Sequence, residues 1–342
     1  MIPITSRTLR VAALVLTASL VGGCTQLSTS EIKSPTAKGD RPKVVVTTTI
    51  LCDLTQQIAA ETVDLICLLK PGVDGHTYAP TPEARKAIEK ANLILYSGYN
   101  FEPSLIKLVQ STSNPAAKIA VAEKAIPQPL LGEGDHHEHS QEEHGAEEQL
   151  TATKQVPDPH IWQTAQNGLK MVKIIEQELT KLSPKNSSTY KQKSQVLEQE
   201  LTEIDSWIKS QIATIPAKER KIVTTHDTMK YYATAYDIPV EGALQGLSTL
   251  EKPTAARVKE LVDSIKSSGV PTIFPEVVVN PKLLETVAKE AKVKISQSSL
   301  YSDSLGEPGS AGDRYQKMLI ANTRTIVEGL GGKYTPFQSE AK

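Results

Sequence analysis

A chain of 342 residues has the length of about two domains. Its 38 basic and 39 acidic side chains leave a formal net charge of −1, which argues against a nucleic-acid binder needing a basic face. Hydrophobic residues at 39% suffice for globular cores but not for a multi-span membrane protein, and aromatics at 4% disfavour a stacking platform for sugars or bases. Three cysteines are too few for a disulfide scaffold. The seven histidines divide unevenly: His136, His137, His139 and His144 crowd into one short tract, while His76, His160 and His226 stand far apart.

Arg7 and Arg10 precede an apolar run, Val11 to Val21, that is too short for a permanent membrane span. The run ends in Val21-Gly22-Gly23-Cys24, which resembles a bacterial lipobox. That resemblance implies a signal peptide over 1–23, cleavage before Cys24 and lipid on its thiol; a plain secretory signal is the alternative. Residues 24–42, rich in Ser, Thr, Pro and Gly, read as a flexible tether. Export permits a disulfide between Cys52 and Cys67, with two buried thiols as the other reading.

From there the chain alternates. Lys43–Thr49 is β-branched and predicts a buried strand, followed by a helix over Asp53–Glu61 and a strand over Val63–Leu69. Thr81-Pro82-Glu83 opens a helix, Asn92–Tyr96 is a strand, a helix starts near Pro103, and Lys118–Val121 is a fourth strand. Between Asn186 and Ile215, Leu197, Leu201, Ile204, Ile208 and Ile212 form one helical stripe, about 40 Å long at 1.5 Å per residue. The alternation then resumes: strand Lys221–Thr225, a helix to Tyr236, helix Val258–Ser267, strand Thr272–Phe274, helix Pro281–Ala291, strand Val293–Ser296 and helix Arg314–Leu330. The expected fold is α/β, with two lobes (43–180 and 216–342) that each hold a mainly parallel sheet flanked by helices. A long helix over 181–215 would join them.

His76 lies in the loop after the second strand, His160 leads into a helix, and His226 follows a strand ending at Thr225. Asp303 follows the last strand, and Glu276 follows the strand Thr272–Phe274. Ligands of open α/β sheets bind outside the carboxyl ends of strands. Three imidazoles and a carboxylate suit a borderline divalent ion, tetrahedral zinc in particular. No HExxH or CxxC spacing is present, so the residues alone reach only as far as a metal cleft.

The segments Pro71-Gly72-Val73-Asp74-Gly75-His76-Thr77-Tyr78-Ala79-Pro80-Thr81-Pro82, Asp158-Pro159-His160-Ile161-Trp162, Thr225-His226-Asp227 with Tyr231-Tyr232, and Tyr301-Ser302-Asp303-Ser304-Leu305 occur in that order. Together they resemble the ligand motifs of the zinc/manganese-binding lipoproteins of ABC importers, the TroA/ZnuA-like class, over about 43–338. The resemblance implies that His76, His160, His226 and Asp303 ligate a metal between the lobes, and that the linking helix is rigid. Glu276 matches a position where relatives carry an acid and is assigned to orienting a histidine. No role for Cys52 or Cys67 carries over. Manganese-binding relatives tend to place a glutamate where this chain has His226, and imidazole suits zinc better than the hard Mn²⁺. The cargo is therefore read as Zn²⁺, with Mn²⁺ as the alternative.

The tract 131–150, with its four histidines and acidic residues, reads as a mobile loop for weak zinc capture or as a plain solvated spacer. The function expected is that of a monomeric extracytoplasmic lipoprotein, lipid-anchored to the cytoplasmic membrane. It would deliver zinc to a membrane permease driven by a cytoplasmic ATPase, with no enzymatic activity. A zinc metallohydrolase would need an open metal position and a base, for which Glu276 is the only candidate. The chain has no GxSxG elbow and no phosphate loop. A surface adhesin on the same fold is the remaining reading.

Overall fold

Three successive valines start the folded body. In the structure, a computed structural model describing residues 41–133, 155–250 and 252–339, β1 spans Lys43–Val46. It is followed by α1 (Thr49–Ala59), β2 (Asp64–Cys67), α2 (Pro82–Glu89), β3 (Leu93–Tyr96), α3 (Pro103–Ser111), β4 (Ala117–Ala120) and the short α4 (Val121–Ala125). The signal peptide, Cys24, most of the tether and His136, His137, His139 and His144 lie outside the described residues. Pro42, assigned by sequence to the tether, already accepts a hydrogen bond from the Asp64 N–H, because β1 and β2 pair from their first residues.

β2, β1, β3 and β4 form one parallel sheet in that order. Its alternating side chains enter two different cores: Val44, Val46, Leu93 and Leu95 face one apolar cluster, and Val45 and Ile94 face another. Helices therefore cover both faces, as continuous β-branched strands require. Local capping explains where helices start. The Thr81 hydroxyl accepts the Ala84 N–H at 3.2 Å, with Pro82 at the first helical position.

A short antiparallel pair, β5 (Leu131–Glu133) and β6 (Gln155–Pro157), follows. The sequence placed 131–133 in the loop, since three residues are too few to show a period. Next come α5 (Ala165–Leu182) and α6 (Ser187–Ala213), the latter about 40 Å long. The predicted helix over 181–215 is thus shorter at both ends, with a turn at Pro184–Asn186 separating it from α5. Its stripe is as expected: Leu197, Leu201, Ile204, Ile208 and Ile212 are all buried.

The rest of the chain holds β7 (Ile222–His226), α7 (Lys230–Tyr236), β8 (Val240–Gln245), α8 (Ala255–Ser268), β9 (Thr272–Ile273), α9 (Lys282–Ala291), β10 (Lys294–Ile295) and α10 (Tyr315–Gly329). β7 pairs with β8 and β9 with β10, all parallel, and the Phe274 N–H donates to Val223 O to tie the pairs. The order β8, β7, β9, β10 repeats the order of the first sheet. β8 has no counterpart among the predicted elements, because Gly242 interrupts its apolar pattern. A Cβ there would meet Leu261 of α8 at 2.8 Å, so the strand trades a side chain for close helix packing. The largest core draws on α1, α5, α6 and α10 and on strands of both sheets, and β8 and α8 pack a separate cluster beyond β7. Cys52 of α1 and Cys67 at the end of β2 are joined as a disulfide, Cα to Cα 5.8 Å. Among the described residues no helix is long and apolar enough to cross a membrane.

Glu102, just before α3, is fully buried. Its Oε1 accepts from Thr47 Oγ1 and the Ser97 N–H, both at 2.7 Å, while Oε2 has no partner. Burial pushes this carboxyl up from its ordinary 4.5 to about 7. The folded state therefore holds a proton that the unfolded chain has lost, and stability falls as pH rises between those two values. Glu102→Gln should make the metal-free protein about 1–2 kcal/mol more stable than wild type at pH 8, with the difference gone at pH 5. Urea unfolding at both pH values measures it, and equal stabilities at pH 8 would contradict the assignment.

Candidate metal centre

Four chemically suitable side chains converge at the carboxyl ends of the strands. His76, His160, His226 and Asp303 are at most 3% exposed, and one ligand atom from each lies within 4.8 Å of all the others. His76 Nε2 is 3.2 Å from His160 Nε2. Asp303 Oδ2 is 3.1 Å from His226 Nε2 and 3.7 Å from His76 Nε2, and its Oδ1 is 3.5 Å from His160 Nε2.

Each histidine is held by an acid. Asp74 and Asp158 both sit two residues before a histidine, and each accepts that histidine's N–H on Oδ1 at 2.9 Å. These turns aim the chain at the site over a span of three residues. Asp158 Oδ1 is also 2.8 Å from His160 Nδ1, and Asp74 Oδ2 accepts from Thr249 Oγ1 at 2.5 Å. Between Asp74 and His76 only glycine fits, since a Cβ at Gly75 would strike the Phe101 ring at 2.6 Å. That ring stands edge-on to His76, with centroids 4.8 Å apart.

His226 is the last residue of β7 rather than the residue after it, because the ladder continues to Gln245. Glu276 sits behind it: Oε2 is 2.5 Å from His226 Nδ1, and Oε1 accepts the N–H groups of Thr225 and His226 at 2.8 and 2.9 Å. With Nδ1 of His160 and of His226 engaged by carboxylates, each Nε2 turns a lone pair inward when the ring is neutral. Apart from their 3.1 Å contact with each other, His226 Nε2 and the Asp303 carboxylate find no hydrogen-bond partner among the described residues. Buried polar atoms gathered at one point without outside partners are costly, and a shared cation removes that cost.

The charges agree. Burial lowers the His76 imidazole to about 3, so it is neutral at physiological pH. Burial would raise Asp303, but His226, His160 and His76 around it hold it well below the usual carboxylate range. Burial would likewise lower His226, yet Asp303 and Glu276 override it and raise that imidazole well above 6.5.

The model of the periplasmic zinc-uptake complex component A family matches residues 44–329. The chain belongs to this family. It is accordingly the substrate-binding component of a metal ABC transporter and not an enzyme. It is 30% identical over 315 residues to the metal ABC transporter substrate-binding lipoprotein SsaB of Streptococcus sanguinis, covering 91% of this chain and 96% of that one. It is also 30% identical to the manganese ABC transporter substrate-binding lipoprotein PsaA of Streptococcus mitis, covering 87% and 92%. Among solved structures it resembles the periplasmic zinc binding protein TroA of Treponema pallidum, with a TM-score of 0.75, 29% identity, and 85% and 99% of the two chains covered. The family's α/β architecture of parallel sheets flanked by helices, with one long helix, is the one seen here.

Sequence reasoning named the four converging residues and Glu276. It assigned no role to Asp74 and Asp158, although their shared Asp-x-His spacing was a legible signal. Thr249 carried no such mark.

Proposed function

We propose that this protein captures Zn²⁺ outside the cytoplasmic membrane through His76, His160, His226 and Asp303 and hands it to a membrane permease powered by a cytoplasmic ATPase. The observation that carries the zinc reading is the third imidazole, His226, braced by Glu276 so that a nitrogen faces the centre. Three nitrogens and one carboxylate match zinc's preference better than that of Mn²⁺. The Mn²⁺ reading has its own support, since several relatives are named for manganese and both Asp303 oxygens could bind a hard ion together. Purified metal-free protein offered equimolar Zn²⁺ and Mn²⁺ should retain zinc and melt at a higher temperature with it. Retention of manganese would overturn the zinc reading.

The reading extends to the chain's organisation. Residues 1–23 act as a signal peptide, Cys24 carries the lipid, and 24–42 form a tether. Lobes 43–180 and 216–342 flank a linking segment, 181–215, that contains α6, and the protein works as a monomer. His136, His137, His139 and His144 serve as a weak auxiliary capture tract. Deleting 133–148 and measuring uptake at limiting zinc tests that last point: unchanged uptake makes the tract a spacer.

A further inference from the structure

Asp303 differs from the histidines around it. His160 and His226 each have a carboxylate gripping the ring from behind, whereas the recorded neighbours of the Asp303 carboxylate are the site's own imidazoles, His226 Nε2 nearest at 3.1 Å. Its aim is therefore set by its backbone. The strand-like pairing beside Glu276 ends at Leu300, and α10 holds the next residue, Tyr301, whose N–H and carbonyl pair with the Asn322 amide at 2.8 Å each.

From Ser302 onward the contacts come from the first part of the chain. Trp162 Nε1 and Gln163 Nε2 both donate to Ser302 O at 2.7 Å. The Gly72 N–H reaches Ser304 Oγ at 2.9 Å and Leu305 O at 3.1 Å, and Thr49 Oγ1 accepts the Leu305 N–H at 2.9 Å. Gln163 is fully buried, and its Oε1 has no partner. A buried amide with half its capacity unused is expensive, and its one hydrogen bond goes to the carbonyl preceding Asp303. Trp162 and Gln163 also occupy the single turn that directly follows His160. One turn thus presents a ligand and grips the peptide that aims another.

We propose that Gln163, together with Trp162, is the positioning residue for Asp303, completing the metal site by fixing the Ser302 carbonyl. This rests on the reading that the four converging residues hold the metal. The orientation of the fourth donor is then coupled to the approach of the His160 turn to the Asp303 loop.

The test uses Co²⁺ as an optical probe and Zn²⁺ dissociation as the rate. The double variant Trp162→Phe/Gln163→Met keeps the bulk of both side chains and removes both donors. It should still bind Co²⁺, show the altered visible spectrum of Asp303→Ala, and release Zn²⁺ 10–100-fold faster than wild type. Metal-free melting reports folding separately, and a merely structural role would lower the melting temperature without changing the spectral shape. If the double variant does not fold, Gln163→Met is read in the same way. A wild-type spectrum with a wild-type rate in a folded variant overturns the positioning role. Failure of the wild-type protein to bind either ion overturns the metal reading beneath it.

Discussion

Replacing His226 with alanine should weaken zinc binding by roughly two to three orders of magnitude. Four-ligand zinc sites are worth about 10–16 kcal/mol at neutral pH, so one ligand carries about 3–4 kcal/mol, and 1.4 kcal/mol is tenfold. Of the four proposed ligands, His226 is the one whose loss leaves most behind. Glu276 would remain buried with its Oε2 facing no ring, and Asp303 would lose its nearest neighbour at 3.1 Å. The fold should survive, because the two N–H groups that Glu276 Oε1 accepts come from the backbone of Thr225 and residue 226, and these persist in alanine. At a fixed zinc excess, the zinc-induced stabilisation should shrink by about 2.7 kcal/mol for each hundredfold loss of affinity. Calorimetric titration and melting curves measure both quantities. An alanine variant binding zinc within threefold of wild type would remove His226 from the site.

Zinc binding should also weaken as pH falls from 8 to 6. In the metal-free protein burial opposes a charge on His226, but Asp303 and Glu276 override it and raise the imidazole well above 6.5, which favours the protonated ring. Zinc needs the neutral ring, so the ion must displace that proton. The sign follows: protons compete with the metal, and lowering pH raises the apparent Kd. His76 adds nothing in this window, because burial keeps it neutral down to about pH 3. Titration calorimetry in buffers of different ionisation enthalpy should detect net proton release on zinc binding. A pH-independent Kd with no proton release would show that His226 is neutral beforehand or is not a ligand.

The elements that sequence reasoning recovered are those whose cause is local. The α6 stripe repeats every three to four residues and shows its buried face directly. Val44–Val46 and Leu93–Leu95 are β-branched or aliphatic on both faces and can only be inner strands. β5, β6 and β8 escaped because they are short or broken by glycine. Their pairing is stabilised by neighbours rather than by their own pattern.

The same division runs through the site. What the sequence by itself determined was the set of donors and their local presentation: two Asp-x-His turns, a histidine at a strand end, and an acid after the last strand. Those geometries depend on hydrogen bonds spanning two residues and on the strand period. Only the tertiary structure decided which buried groups brace them. The resemblance assigns Glu276 to a histidine without saying which, and the fold brings it to His226 across 50 positions; Trp162 and Gln163 meet the Ser302 carbonyl across 140 and 139. No periodicity encodes contacts of that range. They arise because packing the two sheets and α6 around one core brings loops from both ends of the chain to the same point. Desolvation there then makes every unpaired lone pair count.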